Sequence, residues 1–140
     1  MSSAGFLKVS STAQHEIIDV TDRIAAAASL PGDGLLLVTI PHTTAALILC
    51  ELDEKLRRDF VRLAERLFEK SGPFEHDKND NPNAEAHLMS ALAGTQVLIP
   101  FIAGRPALGT YQNVLFFELD GPKERTIEWL VLSGSDGGPT

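Results

Sequence analysis

Three of the four histidines in this chain occur where imidazole chemistry is feasible. His42 follows an apolar segment in Pro41-His-Thr-Thr44, His76 lies in a polar loop, and His87 lies on a short predicted helix. Neutral imidazole binds zinc and similar divalent ions, and three protein ligands leave a fourth position open, which is typical of catalytic zinc sites. The spacing contains no local metal motif, so these residues alone are weak support for a shared site.

Phosphate binding is the second chemistry that the sequence favours. Thr43 and Thr44 lie between two apolar segments, and Arg105 lies in a glycine-bounded turn. Guanidinium and hydroxyl groups donate hydrogen bonds in geometries that suit phosphate oxygens. We therefore expect these three residues to bind a phosphorylated metabolite. The alternative is that residues 43 and 44 form a polar bend in which the threonine hydroxyls bond only to nearby backbone groups.

The fourth histidine and the single cysteine are weaker candidates. His15 lies in a predicted strand whose alternation does not settle its exposure, and a solvated or structural role is favoured. Cys50 ends the apolar run Ala46-Leu-Ile-Leu-Cys50, where a thiol behaves as a small hydrophobe. A lone cysteine cannot form an internal disulfide.

Composition limits the partners of these groups. The 140 residues, 44% of them hydrophobic, suit one globular domain. The net charge is -7, and no run of lysine or arginine could neutralise a nucleic-acid backbone. No apolar run approaches the roughly 20 residues of a membrane span, and the N-terminus lacks signal-peptide features. We expect a cytoplasmic protein with neither a nucleic-acid nor a membrane partner.

Apolar periodicity predicts the elements that would position the candidate residues. Thr21, Asp53 and Asn83 are expected helix N-caps, because their side chains can accept hydrogen bonds from first-turn amides. Gly94 is expected to end the third helix in a left-handed conformation. His87 shares the apolar stripe of that helix and is expected to point toward the core. The predicted strands span residues 5–11, 14–20, 35–40, 45–51, 97–102, 111–120 and 125–132, and the predicted helices span 22–30, 54–70 and 84–93.

These elements predict an α+β fold: a single domain of mainly antiparallel sheet, in one sheet or two, packed with two to three helices. The domain is expected to cover residues 1–134, and residues 135–140 are expected to form a flexible C-terminal tail. Adjacent Phe116 and Phe117 must point to opposite faces of a sheet, so both faces need cover. The second helix is expected to pack through one apolar stripe, formed by Leu56, Phe60, Leu63 and Leu67 with Val61, Ala64 and Phe68 beside them. Its arginines and glutamates are expected to form a solvated face.

Five motifs occur in order along the chain. They are Pro41-His-Thr-Thr-Ala-Ala46, Glu51, His76-Asp77, Asn83-Ala-Glu-Ala-His87-Leu88 and Gly104-Arg-Pro-Ala-Leu-Gly-Thr-Tyr-Gln112. In this order they resemble the YjbQ family, also called UPF0047 or the secondary thiamine-phosphate synthase family. The resemblance extends to about Gly134. Tyr111 stands where that family usually has tryptophan, and Cys50 stands where asparagine is common.

The resemblance implies a homotrimer of small α+β domains, each with a cleft that holds the motif histidines and a divalent metal ion. Zinc is the expected ion, with magnesium as the alternative. Carried over to this sequence, the metal-binding or catalytic imidazoles are those of His42, His76 and His87. The resemblance also implies that Gln112 is a further catalytic residue. Glu51 and Asp77 are then polar groups beside the substrate.

Two classes of function follow from this resemblance. The first is a metal-assisted enzyme acting on phosphorylated metabolites, because some family members weakly replace a thiamine phosphate synthase. That reaction joins hydroxymethylpyrimidine diphosphate to a thiazole phosphate and releases diphosphate. The second is a non-catalytic metal- or metabolite-binding protein whose synthase activity is incidental. Turnover by the purified protein separates the two.

Overall fold

Two antiparallel sheets and three helices form the described part of this computed structural model, residues 2–76 and 82–134. The expected α+β class is confirmed. Both the number of helices and the antiparallel pairing match the expectation from the sequence. The elements are β1 (Ser2–Ser10), β2 (Glu16–Asp19), α1 (Thr21–Ala27), β3 (Gly34–Thr39), β4 (Ala45–Cys50), α2 (Glu54–Arg66), α3 (Ala84–Ala93), β5 (Gln96–Ile102), β6 (Arg105–Pro106), β7 (Asn113–Glu118) and β8 (Glu124–Ser133).

The sheets differ in size and in what covers them. The five-stranded sheet has the order β1-β8-β3-β5-β6, and the three-stranded sheet has the order β2-β7-β4. Every strand pair is antiparallel.

No helix in the described ranges is long and apolar enough to cross a membrane. The predicted tail, residues 135–140, lies outside those ranges.

Two apolar clusters hold the layers together. The larger lies between the sheets and contains Phe101 and Trp129 from the five-stranded sheet and Phe116 from the three-stranded sheet. The smaller covers the other face of the three-stranded sheet, where Phe117 packs against helix residues. The Phe117 ring meets that of Phe60 edge to face, with centroids 5.7 Å apart. Phe116 and Phe117 therefore point to opposite faces of the three-stranded sheet, and residues of the same chain cover both faces.

The outer face of the five-stranded sheet remains uncovered. Paired residues put Ala4, Leu130, Leu37 and Leu98 in one row across four strands. Because directly opposed residues point to the same face, this row is apolar across the sheet. Large apolar side chains of this face are substantially exposed: Phe6 (63%), Leu98 (57%), Ile102 (55%), Leu132 (43%) and Leu35 (41%). We call this surface the outer apolar face.

Helix α2 corrects the predicted apolar stripe. Leu63 and Leu67 are exposed at 47% and 42%, and no residue of α2 is fully buried. The side chains that pack on the smaller cluster are Phe60, Ala64 and Phe68, which the predicted stripe included. The helix also ends at Arg66 rather than near position 70. The stripe is therefore narrower than predicted, because Leu63 and Leu67 do not belong to the buried side of the helix.

The three predicted N-caps have different outcomes. Asp53 is confirmed, because its carboxylate accepts a hydrogen bond from the Leu56 amide at 2.7 Å. The N-cap prediction for Thr21 is wrong, because Thr21 is the first residue of α1. Its hydroxyl donates to Asp19 and accepts from the Val114 amide. Asn83 occupies the N-cap position of α3, but its side chain forms no capping bond.

Candidate functional site

The start of β4, the end of β7 and the start of α3 meet at one end of the three-stranded sheet. Ala45 pairs with Glu118, and the Leu119 amide donates to the Thr44 carbonyl. The Ser90 hydroxyl of α3 donates to the Ala45 carbonyl at 2.6 Å. These bonds hold the helix beside the segment that carries His42 and Thr43. We call this region the histidine end.

His76 and His87 contact each other at this end of the molecule. Their ring centroids are 4.9 Å apart, and the rings are nearly perpendicular, at 87°. His87 is half-buried on α3, while His76 is exposed in the loop before the helix. The expectation that His87 points into the core is therefore wrong. Its ring faces His76 because α3 buries Ala86, Met89 and Ser90 instead.

A hydrogen-bonded relay fixes His76. Its Nε2 lies 3.1 Å from Asn83 Oδ1, and Asn83 Nδ2 donates to Asp120 Oδ2 at 3.1 Å. An ionised carboxylate only accepts, so the Asn83 amide nitrogen must face Asp120 and its oxygen must face His76. The proton of neutral His76 is therefore on Nε2, and Nδ1 keeps its lone pair. We call these three residues the Asp120–Asn83–His76 relay.

Asp120 connects the relay to a cation. Its side chain is 6% exposed, and Lys123 Nζ lies 3.0 Å from its Oδ2. The Lys123 side chain remains 45% exposed. The turn after β7 therefore supplies both the acid that orients Asn83 and a lysine near the surface.

A shallow cavity of about 450 Å³ opens beside the two imidazoles. Phe74, Ala84 and Leu88 provide apolar walls, and the histidines provide the polar atoms, with Glu75 at the rim. The Asn83 side chain does not cap α3, so it leaves the amides of the first turn free of that bond. Such amides and the helix dipole favour an anion.

His42 has a different environment from the other two motif histidines. Its Nε2 accepts a hydrogen bond from the Thr126 amide at 2.9 Å. A proton on Nε2 would oppose that bond, so neutral His42 carries its proton on Nδ1. Burial, followed by the charge of Arg125, lowers the pKa of His42 below its ordinary value of 6.5, although Glu118 and Glu128 oppose the shift. His42 is therefore neutral at pH 7.

This arrangement predicts a pH dependence of stability. Because the pKa of His42 is lower in the folded chain, the unfolded chain takes up a proton first as the pH falls below 6.5. The contribution of His42 to the free energy of unfolding is complete above pH 6.5 and is lost as the pH falls toward the pKa in the folded state. Urea denaturation between pH 7 and pH 5 should show a decline that is smaller in His42→Gln. An equal decline in both proteins would contradict the assignment.

Beneath the histidine end lies a buried ion pair that sequence reasoning missed. Arg125 binds Glu118 through both Nε and Nη2, and Glu118 is 0% exposed. Ser11 also donates to Glu118, at 2.8 Å. Arg125 Nη2 reaches the Thr44 carbonyl and hydroxyl at 3.1 and 3.0 Å. The pair therefore joins β7 and β8 to the segment that carries His42. The available signal was Glu118 at the end of the apolar run of β7.

Glu118 also orients the segment that contains Asp120. Its Oε2 accepts hydrogen bonds from the amides of Leu119 and Asp120, each at 3.1 Å. Gly121 follows, and a Cβ there would lie 2.3 Å from the Ala13 carbonyl oxygen and 2.6 Å from Ser11 Oγ. Only glycine allows the turn to approach this closely. The relay therefore depends on the ion pair beneath it.

The predicted phosphate-binding threonines have different positions. Thr44 is 6% exposed, and its hydroxyl contacts Arg125. Thr43 is exposed beside His42. Of the two hydroxyls, that of Thr43 is the one open to a ligand.

Glu51, Arg105 and Gln112 lie at the opposite end of the sheets. Glu51 follows β4 and Gln112 precedes β7, whereas the histidine end lies where β4 begins and β7 ends. Gln112 Oε1 accepts from the Gly109 amide at 2.9 Å. Arg105 pairs with Ile102, the last residue of β5. The first residue of β5, Gln96, is at the other end of the strand and pairs with Thr39, close to His42 in the chain. At about 3.3 Å per residue, these ends are roughly 15–20 Å apart.

The described residues do not assemble the expected three-histidine metal site. Residues 2–76 and 82–134 contain no group of three His, Cys, Asp or Glu side chains that could hold a metal ion. His76 and His87 offer two imidazoles, but the Nε2 of His42 is engaged by Thr126. Asp77, another predicted site residue, lies outside the described residues. The metal ion stays a prediction.

The fold and site define a small two-sheet α+β domain with paired histidines at one end. A family model described as "UPF0047 protein YjbQ-like" matches residues 6–134. The chain belongs to the YjbQ, or UPF0047, family. A UPF0047 protein of Archaeoglobus fulgidus is 42% identical over 112 residues, covering 80% of this chain and 87% of the relative. YugU of Bacillus subtilis is 33% identical over 125 residues, covering 86% and 92%.

Solved structures show the same fold. A hypothetical protein of Aeropyrum pernix superposes with a TM-score of 0.85 at 35% identity, covering 94% of this chain and 99% of that one. A YbjQ-like protein of unknown function from Sulfolobus solfataricus gives a TM-score of 0.85 at 29% identity, covering 96% and 99%. The likeness establishes the fold and agrees with the family, and both of these proteins are described without a reaction.

Proposed function

We propose that the histidine end binds a phosphorylated metabolite and catalyses a group transfer, with thiamine phosphate synthesis as the named reaction. The observation that carries this proposal is the Asp120–Asn83–His76 relay, which holds one imidazole in a defined tautomer against His87. A carboxylate-supported imidazole beside a second imidazole is a common arrangement for moving or holding protons.

The surroundings of the two histidines suit an anionic group attached to an apolar body. The first turn of α3 offers uncapped amides, and imidazole N–H groups can donate to phosphate oxygens. Phe74 and Leu88 provide apolar contact for the rest of the ligand. The carboxylates of Glu75 and Glu85 lie near the cavity and repel an anion that has no accompanying positive charge. Protonation of one histidine, or a cation brought with the ligand, would offset that charge.

The synthase reaction requires few catalytic groups. A carbon–nitrogen bond forms between the thiazole nitrogen and the pyrimidine methylene carbon, and the bond from that carbon to the diphosphate oxygen breaks. The electron pair leaves with diphosphate, and the product nitrogen carries the positive charge. The protein must hold both reactants and stabilise the departing charge. His87, His76 and the α3 amides are positioned for the second task.

The described residues fit a divalent ion only in part. Catalytic zinc sites use three protein ligands, and this end of the chain offers the two imidazoles of His76 and His87. We therefore assign no step of the reaction to an ion. Elemental analysis of protein purified without a histidine tag or added metal addresses the zinc and magnesium predictions. Stoichiometric metal that is lost in His87→Ala would support such a site.

Turnover by purified protein tests the proposed reaction. With hydroxymethylpyrimidine diphosphate and thiazole phosphate supplied, we expect thiamine phosphate and diphosphate in equal amounts. Affinity for either substrate without product would favour the alternative, a metabolite-binding protein. Leu92→Ala is a suitable control, because Leu92 is exposed on α3 and does not line the cavity beside His76 and His87.

The outer apolar face supports the proposal that the protein is a homotrimer. Its exposed side chains form an apolar patch on the order of 500 Å², near the upper limit for a monomer. A typical interface covers about 800 Å² on each partner, and such a patch could form its centre. Contact between copies would also be needed for Arg105 or Gln112 to reach a histidine end.

Substitution at the centre of this face should change the assembly. Leu98→Asp places a charge in the apolar row, where association would bury it without a partner, so we expect dissociation to monomers. Light scattering should give a mass near three times 15.1 kDa for the wild type and near 15.1 kDa for the variant. Leu92→Asp is the matched control, because Leu92 is 73% exposed but lies on α3. A wild-type monomer at micromolar concentration would exclude the trimer.

A further inference from the structure

A cleft between β2 and α2 lies outside the histidine end. Its volume is about 400 Å³, within the range of small-molecule sites. Arg57, Arg58 and Arg62 line one side, and His15 and Ile17 line the other. Three guanidinium groups around one cleft stand out in a chain whose net charge is -7.

Two of the three arginines are available to a ligand. Arg57 is fixed, because it donates to the Ile17 carbonyl and to Glu54. Arg58 and Arg62 form no hydrogen bond or ion pair with the residues that the structure describes, and both are exposed. They are four residues apart on α2, so their charges face the same side of the helix and repel each other. A bound anion would relieve that repulsion.

The acidic residues of the cleft do not neutralise these arginines. Glu16 accepts hydrogen bonds from the amide and hydroxyl of Thr12, at 2.7 and 3.3 Å. Glu65 lies 4.0 Å from His15 Nδ1. The cleft thus carries three guanidinium groups against two carboxylates, and both carboxylates face other partners. Because Arg57 is paired with Glu54, the positive charge that has no ion-pair partner among the described residues lies on Arg58 and Arg62.

The floor of the cleft is apolar. Ile17 is fully buried beneath it, and Val61 and the aliphatic stems of the arginines complete the surface. A ligand with an anionic group and an apolar body matches both features, because guanidinium binds phosphate or carboxylate oxygens in pairs.

We propose that this cleft is a second binding site, which takes a small organic anion, a phosphate monoester with an apolar body. Arg58 and Arg62 bind the anionic group, and Ile17 and Val61 contact the body. The site is separate from the histidine end. A neighbouring cavity of about 200 Å³ is lined by His15 and Glu65 of the cleft and by Asn83 and Asp120 of the relay. The cavity beside His76 and His87 shares no described lining residue with the cleft.

Phenyl phosphate is the probe that tests this site, by isothermal titration calorimetry at low ionic strength. In a His87→Ala background, which removes one imidazole of the histidine end, the protein should bind one equivalent, and adding Arg58→Ala/Arg62→Ala should weaken that binding at least tenfold. Arg66→Ala should bind as the wild type does, because Arg66 lies on the same helix but outside the cleft. Added salt should weaken binding. Inorganic phosphate should bind more weakly than phenyl phosphate, because it has no apolar body.

Three results would overturn the proposal. The first is no saturable binding of phenyl phosphate at millimolar concentration. The second is equal weakening by Arg66→Ala, which would indicate a diffuse charge effect. The third is binding that is lost in His76→Ala but kept in the double arginine variant, because the anion would then occupy the histidine end. Unchanged thermal unfolding of the arginine variants confirms that they fold.

Discussion

Replacing Arg125 by methionine is expected to lower the free energy of unfolding by about 3–5 kcal/mol. The guanidinium binds the carboxylate of Glu118, which is fully buried, and it also binds Thr44. Methionine fills similar space but leaves a buried negative charge without its partner. For a chain of this size, the midpoint of thermal unfolding should fall by about 10 °C or more.

The matched control for this substitution is an exposed ion pair. Lys8 and Glu124 lie 3.8 Å apart, with side chains 55% and 66% exposed. Such pairs contribute about 0–1 kcal/mol, so Lys8→Met should change stability little. If Arg125→Met and Lys8→Met cost the same in urea denaturation, the buried pair does not have the role assigned to it.

The same substitution should change the pH dependence of stability. Burial alone would raise the pKa of Glu118, but hydrogen bonds from Arg125, Ser11 and the Asp120 amide, with the charge of Arg125, lower it below 4.5. In the wild type this contribution is complete above pH 4.5 and is lost as the pH falls through the pKa in the folded state. Without Arg125, burial raises the pKa of Glu118, so acid neutralises the buried charge. The stability difference between the two proteins should therefore narrow as the pH falls.

Replacing His87 by alanine is expected to reduce kcat/KM for the synthase reaction by about 10²–10⁴-fold, the range for loss of a positioned acid or base. Asn83→Ala is the more discriminating variant, because it keeps both imidazoles and removes the bond that orients His76, together with the bond from Asn83 to Asp120. We expect an intermediate loss, about 10–100-fold, by analogy with the groups that orient ligating histidines.

The stability of these variants must be compared with their activity. Asn83 also approaches Asp120, so part of any loss could arise from disorder at the start of α3. Asn83→Asp keeps the size of the side chain but places a carboxylate beside Asp120, and it should lower activity more than it lowers stability. Full activity in both Asn83 variants would remove the relay from the mechanism.

Much of the fold was predictable because local patterns determine it. The β3 segment is a short apolar run between glycine and proline, the β4 segment is a second apolar run after the Pro41-His-Thr-Thr44 bend, and both form strands close to the predicted bounds. Helix α3 begins and ends where Asn83 and Gly94 indicated, and Gly94 has a φ of 100°. These features depend on a few adjacent residues, so the sequence displays them directly.

The site was less predictable because its contacts join distant parts of the chain. His42 and Thr126 are 84 positions apart, and Arg125 and Thr44 are 81 apart. Asn83 illustrates the difficulty, since its type and position predict a cap, but the carboxylate of Asp120 draws its side chain away. Glu51, Arg105 and Gln112 belong to the same ordered set of motifs as the histidines, but strand direction puts them at the other end. Order in sequence does not reveal that separation.

The central claim, that His76 and His87 form one anion-binding site oriented by Asn83, is tested most directly by NMR of the imidazole nitrogens during titration with pyrophosphate. With four histidines in the chain, each ring can be assigned by substitution. We expect His76 and His87 to shift together with one dissociation constant, His76 to be protonated on Nε2, and His42 to remain unchanged. His15 would report separately on the arginine cleft. Unshifted His76 and His87 at saturating pyrophosphate, or a His76 proton on Nδ1, would contradict the claim.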